Sequence, residues 1–131
     1  MTAGRGKRRQ ERGRANQRTG LRAEALARLV LRLKGYRILG SRVRTRAGEI
    51  DLVARRGRVL AFVEVKSRQA QADARLALQP RQQYRLARAA EAWAAGRREL
   101  EGLIWRYDLM ICAPRRLPRH LMDAWRPQER F

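Results

Sequence analysis

The sequence predicts a small mixed-sheet α/β domain with the element order αβββαβ, and three observations carry that expectation. Large aliphatic residues recur at helical spacing from Gly20 onward. Two strongly apolar segments, Glu49 to Arg55 and Arg58 to Ser67, are separated by a short glycine-containing turn. A run of helix-forming residues then leads to a further apolar segment, and a helix placed there lets the third and fourth strands run parallel through a right-handed crossover.

Residues 1–19 hold seven Lys or Arg, one Glu, three Gly and almost no apolar side chains. Such a segment cannot bury enough surface to offset its ordering entropy, so it is expected to be a disordered basic arm. Leu26, Leu29, Val30 and Leu33 then mark one face of an amphipathic helix over 20–34, which Gly35 ends. Tyr36 to Arg44, with Ile38 and Val43, fits a first strand. The second and third strands are the two apolar segments, with Arg56-Gly57 as the predicted hairpin turn. Val59 to Val63 are apolar in succession, which predicts a third strand buried on both faces. Pro80 can open a second helix, and the stretch to Ala95 is rich in Ala, Leu, Arg and Gln. Leu103 to Ala113 is the fourth strand. Pro114, Pro118 and Pro127 break up the remainder, leaving room for one short edge strand near His120–Met122. The expected organisation is an arm at 1–19, one domain at 20–125 and a tail at 126–131, since 131 residues support a single core.

Charge narrows the function classes. The chain carries 29 Arg and 3 Lys against 12 Asp and Glu, a formal charge of +20. A polyanion relieves that self-repulsion, which makes nucleic acid the first expected partner. No apolar run approaches the roughly 20 residues that span a bilayer, and no secretory signal pattern opens the chain, so no membrane partner and a cytoplasmic location are expected. Cys112 is the single cysteine and His120 the single histidine. Disulfides, cysteine-rich zinc sites and histidine-paired nucleophiles are thereby disfavoured. Carboxylates, lysine and a metal remain as agents of chemistry.

Two acids lie inside the most apolar part of the chain: Asp51 between Ile50 and Leu52, and Glu64 between Val63 and Val65. A carboxylate in a buried strand costs several kcal/mol unless it is paired or binds a cation. Lys66 follows Glu64 by two residues, so both point to one face. With the turn at Arg56-Gly57, Asp51 falls opposite Phe62 and becomes a diagonal neighbour of Glu64 on that face. Two such carboxylates can share a hard divalent cation beside an ammonium. Alternatively, Glu64 and Lys66 form a simple salt bridge on a half-exposed sheet. Glu24 likewise has two readings: a first-turn acid that favours the helix dipole, or a third carboxylate aimed over the sheet towards Asp51.

An acid in one strand followed by Glu-x-Lys in the next resembles the PD-(D/E)xK signature of restriction-endonuclease-like nucleases. More closely, the chain resembles the YraN family, small bacterial proteins of that fold. The matching stretches are Gly20-Leu-Arg-Ala-Glu24-Ala-Leu-Ala27, Gly35-Tyr36-Arg37-Ile38-Leu39, Gly48-Glu49-Ile50-Asp51-Leu52, Phe62-Val63-Glu64-Val65-Lys66-Ser67-Arg68, Gln83 and Arg106-Tyr107-Asp108. Archaeal Holliday-junction resolvases are similar at one remove. The resemblance implies a metal-dependent endonuclease acting on DNA, branched DNA included, and a quartet of Glu24, Asp51, Glu64 and Lys66; DNA is expected ahead of RNA, which stays open. Asp51 and Glu64 would hold Mg²⁺ or Mn²⁺, and Lys66 would orient the attacking water or steady the phosphate. Arg44, Arg46, Arg68, Arg81, Gln83, Arg85 and Arg88 are the expected nucleic-acid contacts, and a homodimer stays open. In this sequence Arg42 stands where the resemblance implies asparagine, and Gln82 where it implies lysine. The other reading of the same residues is a DNA- or RNA-binding protein that keeps the nuclease fold without turnover.

Overall fold

The computed structural model describes residues 20–67 and 78–127; the expected basic arm, Arg68 and the end of the tail lie outside the described residues. Helix α1 runs over 20–33. Three strands follow, β1 (Arg37–Thr45), β2 (Gly48–Arg56) and β3 (Val59–Ser67), then helix α2 (Pro80–Ala94), a 3₁₀ turn (Arg98–Leu100), β4 (Ile104–Cys112) and β5 (Arg119–Trp125). The strands form one sheet in chain order. The β1–β2, β2–β3 and β4–β5 pairs are antiparallel, while β3 and β4 run parallel from Val59↔Ile104 to Ser67↔Cys112. That parallel pair is the crossover predicted from a helix lying between two apolar strands. The fold is α/β, a mixed five-stranded sheet with two helices, and the expected short edge strand is a full β5.

The core has one layer on each side of the sheet. Leu86, Ala89, Ala90 and Trp93 of α2 pack on Val53, Leu60, Phe62, Tyr107 and Leu109. On the opposite side Ala23, Ala27 and Leu31 of α1 pack on Leu52, Ala54, Ala61, Val63 and Met110. The β3 segment from Leu60 to Val63 therefore serves both layers, as its unbroken apolar run predicts.

Helix α1 corrects the sequence reading. Leu26, Leu29 and Leu33, the predicted core face, are exposed, Leu33 at 79 %, and of that set Val30 alone packs against the core. The buried face is instead Ala23, Glu24, Ala27 and Leu31, about a third of a turn away. Two alanines let the helix lie close on the sheet, where leucines would hold it off. Side-chain size pointed to the wrong stripe because the interface selects small residues.

The hairpin turn is Gly57-Arg58, one residue beyond the predicted Arg56-Gly57, since Arg56 pairs with Val59. Gly57 has φ +60°, the left-handed conformation a two-residue hairpin turn demands and glycine adopts without penalty.

Asp108 is fully buried and holds the β4–β5 edge together. Burial raises its pKa, but hydrogen bonds from His120, Arg106 and the Asp123 amide outweigh that, and the net shift is downward. Arg106 Nε and Nη2 donate to its two oxygens at 2.8 Å each, and His120 Nε2 donates at 2.8 Å. Lys34, just beyond α1, donates to the other nitrogen of the same imidazole. The partners of β4 shift from Trp125 opposite Tyr107 to Leu121 opposite Leu109, so β5 carries extra residues opposite Asp108. Asp123 sits in that bulge with φ 53°, and its amide donates to Asp108 Oδ1 at 2.9 Å. The carboxylate thus takes up a donor that the bulge removes from the ladder.

Two outcomes follow by chemical denaturation. Leu31→Ala should cost about 2–5 kcal/mol, whereas Leu29→Ser and Leu33→Ser should each stay within about 0.5 kcal/mol. Asp108→Asn should cost about 3–5 kcal/mol, because it leaves Arg106 without its buried counter-charge. The depressed Asp108 pKa also makes its contribution present above the unfolded value near 3.8 and lost as pH falls through the folded one.

Candidate functional site

The β2–β3 ladder ends at Leu52↔Val63, although β2 reaches back to Gly48 and β3 runs on to Ser67. The two strands part there into a fork. The cause lies one strand away. Ile50 packs with the α2 layer and Leu52 with the α1 layer, whereas residues two apart in a regular strand share a face. The turnover falls at Asp51. Its counterpart in the β1–β2 register, between Ser41↔Leu52 and Val43↔Ile50, is Arg42, which has φ 50°. Left-handed backbone is costly for arginine and far easier for asparagine, the residue that the family resemblance implies at this position.

The bend frees the Asp51 carboxylate to act inside the fork. Its Oδ2 accepts the Val65 amide at 2.8 Å, one residue past Glu64. Glu64 and Asp51 lie within hydrogen-bonding reach of each other, and Lys66 Nζ stands 3.6 Å from Glu64 Oε1. The observed register, continued by one step, sets Asp51 opposite Glu64 rather than Phe62. The one-residue displacement of the turn moves the partner by two positions, which preserves the face. The expected gathering of Asp51, Glu64 and Lys66 is therefore found, with Glu64 rather than Phe62 as the facing residue of Asp51.

Glu24 behaves differently. It is buried on α1, but it pairs with Arg42, whose Nε lies 3.2 Å from Oε2, and that oxygen accepts no hydrogen bond among the described residues. Burial raises its pKa, Arg42 lowers it, and the nearby Asp51 charge raises it further. Among the described residues no three Asp, Glu, His or Cys side chains converge as a metal group. Of the expected quartet, three members meet and Glu24 stands off, drawn to the arginine that replaces the implied asparagine. Asp51 and Glu64 remain as the pair whose oxygens fit a hard divalent cation, since Mg²⁺ is commonly held by one or two carboxylates together with water and substrate phosphates.

The fork opens into a cleft of about 200 Å³ lined by Gly48, Glu49, Glu64, Gln82 and Arg85, with Leu78 and Leu86. Arg81, Arg85 and Arg88 are exposed along α2, and Arg88 donates to the Tyr84 hydroxyl at 3.0 Å. Gln83 does not line this cleft. Its amide donates to the Leu78 carbonyl at 2.9 Å and steadies the start of α2, while Gln82 faces the fork. Sequence reasoning noted Gln82 only as a departure, although it is one helical turn from Leu86 and so shares its side. Arg44 is exposed and paired with Glu49 at 3.1 Å, and Arg46 occupies the β1–β2 turn.

The Glu64 carboxyl is pushed up to about 8, first by burial and then by Asp51, with Lys66 opposing. The folded state therefore holds this proton more tightly than the unfolded chain. Stability should fall as pH rises from about 4.5 to about 8, in contrast to the Asp108 contribution. Glu64→Gln should remove that decline and be more stable than wild type near pH 8 without divalent metal. Thermal unfolding of both proteins in chelator across that range measures it.

An α/β chain with two acids and a lysine in a strand fork, beneath an arginine-bearing helix, has the architecture of a small site-bearing domain. The sequence model of Uncharacterised protein family UPF0102 matches residues 23–112, and the chain belongs to that family. It is 56 % identical over 115 residues to a UPF0102 protein of Parvibaculum lavamentivorans, covering 88 % of this chain and 86 % of the relative. It is also 56 % identical over 117 residues to a UPF0102 protein of Caulobacter vibrioides strain NA1000, covering 89 % of this chain and 94 % of that one. A UPF0102 protein of Paramagnetospirillum magneticum is 53 % identical over 116 residues, 86 % and 90 % of the respective chains.

Proposed function

We propose that this protein is a divalent-metal-dependent endonuclease acting on DNA, with Asp51 and Glu64 holding Mg²⁺ or Mn²⁺ and Lys66 serving the phosphate. The observation that carries the reading is the fork itself. In a chain of formal charge +20, two carboxyls are kept within reach of each other at a desolvated position, and one has its pKa raised to about 8. A site that only bound phosphate would gain nothing from buried acids that repel it, whereas a cation site needs them. When bound, the cation supplies charge to the scissile phosphate and lowers the pKa of a coordinated water, so hydrolysis needs no histidine.

The chain's own residues have separate tasks. Asp51 is oriented by the Val65 amide, which fixes its rotamer before any ligand arrives. Lys66, half-buried beside Glu64, places a compact ammonium where a water or a phosphate oxygen can meet it. Arg85 in the cleft and Arg81 and Arg88 along α2 offer guanidinium donors to the flanking backbone.

A second reading, a nucleic-acid-binding protein without turnover, is favoured by the Glu24–Arg42 ion pair, which withdraws the third carboxylate from the fork. Manganese titration separates the two. An ion that binds the folded state stabilises it by about 2.7 kcal/mol at a hundredfold excess over Kd. Wild type should gain stability in Mn²⁺ and cleave linear or branched DNA. Glu64→Gln and Asp51→Asn should lose both responses while retaining metal-free DNA affinity. Lys66→Ala should keep the metal response and lose cleavage. An unmoved wild-type transition in millimolar Mn²⁺, with every DNA and RNA substrate intact, rejects the nuclease and leaves the binding protein.

A further inference from the structure

A second cleft, of about 780 Å³, lies between the β1–β2 turn and the C-terminal end of α2, lined by Arg44, Thr45, Arg46, Trp93, Gly96 and Arg97 among others. No acid lines it. Two of its arginines are presented from rigid supports. Arg97 Nε donates to the Trp93 carbonyl at 2.8 Å, and its guanidinium carbon lies 4.4 Å from the Trp93 ring centroid. That stacking sets the plane of the guanidinium and leaves its Nη donors uncommitted among the described residues. On the other wall, Thr45 Oγ1 accepts the Ala47 and Gly48 amides at 3.1 and 3.2 Å and donates to the Gly48 carbonyl at 2.8 Å. Arg46 projects from that pinned turn and has no ion pair among the described residues, unlike Arg44, which is held by Glu49.

We propose that this cleft is a second anchoring site for the phosphodiester backbone of a nucleic acid, with Arg46 and Arg97 donating to phosphate oxygens. The proposal rests on the nucleic-acid reading above and adds where the strand runs. The held Arg97 guanidinium loses little freedom on binding, and Arg46 stands on a turn whose backbone is already pinned, which distinguishes this cleft from scattered surface charge. Trp93 is buried and already covered by Arg97, so no base can stack there, and the site reads backbone without sequence. Arg85 lines the fork cleft and Ala92 lines the second one. Seven residues of helix separate them by about 10 Å, roughly three nucleotides at 3.4 Å each. The exposed Arg81, Arg85 and Arg88 lie along the same helix, at spacings that place them on one outer stripe with Ala92. A strand following α2 would thus have one phosphate in the second cleft and another at the fork.

The test is the salt dependence of binding of a 20-nucleotide DNA duplex in chelator, by fluorescence anisotropy, using the full chain. Each phosphate contact contributes about 0.9 to the slope of log K against log salt, so Arg46→Ala with Arg97→Ala should reduce the slope by about 1.8 and weaken binding at least tenfold. Arg46→Ala alone, in an exposed turn, should reduce it by about 0.9. Arg115→Ala with Arg116→Ala removes the same charge from an exposed loop and should leave the slope unchanged. In Mn²⁺ the cleft variant should raise KM with kcat retained. Equal slope losses in both double variants would overturn the proposal, because net charge alone would then explain binding. So would stabilisation of wild type, but not the cleft variant, by inorganic phosphate with DNA binding unaltered, which would mark a site for a small phosphate. Should wild type itself bind no nucleic acid, the reading beneath the proposal falls with it.

Discussion

The Asp51 carboxylate stands in for a backbone carbonyl in the β2–β3 ladder, and the geometry around it depends on that substitution. Beyond Leu52↔Val63 the strands separate, which would strand the Val65 amide in a part-buried position. An unpaired buried N–H is costly enough to be rare. Asp51 Oδ2 satisfies it, so the strands can diverge without penalty. The divergence sets Glu64 in the wall of a cleft instead of inside a continuous ladder, and α2 closes the cleft with Gln82 and Arg85. The bend that makes this possible is shared by β1, where Arg42 takes up left-handed backbone and reaches Glu24.

The acids of the sheet divide by how they are compensated. Asp108 receives Arg106, His120 and a backbone amide, and its carboxyl ends below the usual range. Glu64 has one weak ion pair and an acidic neighbour, and its carboxyl ends near 8. The first arrangement is self-sufficient and stabilises the folded chain as an anion. The second is left short of positive charge, which is what the proposed cation site requires. Outside, the balance reverses: exposed arginines along α2, in the β1–β2 turn and after α2 give the surface a dense positive charge.

Much of the fold was legible because its signals are local. Pro80 opens α2, Gly57 turns the hairpin, and the apolar run of β3 declares a central strand, all from chemistry within a few residues. The candidate site was legible for a related reason: Asp51, Glu64 and Lys66 are anomalous in apolar strands, and strand alternation fixes their common face. Glu24 was not, since its partner depends on how α1 is rotated over the sheet. The same rotation misled the reading of Leu26, Leu29 and Leu33. Gln82 and Gln83 are adjacent in sequence, and only the packing of α2 decides which faces the fork.

By itself the sequence determined the α/β class with its mixed sheet, the parallel β3–β4 pair, the shared face of the two strand acids and the lysine, and the strongly positive formal charge. These follow from periodicity, turn chemistry and composition, which act over one to a few residues. Tertiary structure alone decided that alanines rather than leucines seat α1, that Arg42 claims Glu24, that Asp108 gathers Arg106, His120 and Asp123, and that β2 and β3 part at Asp51. Each of these depends on helix orientation, bulges and close approach between distant segments, and such relations have no counterpart in local pattern because their energies arise only when the layers are packed.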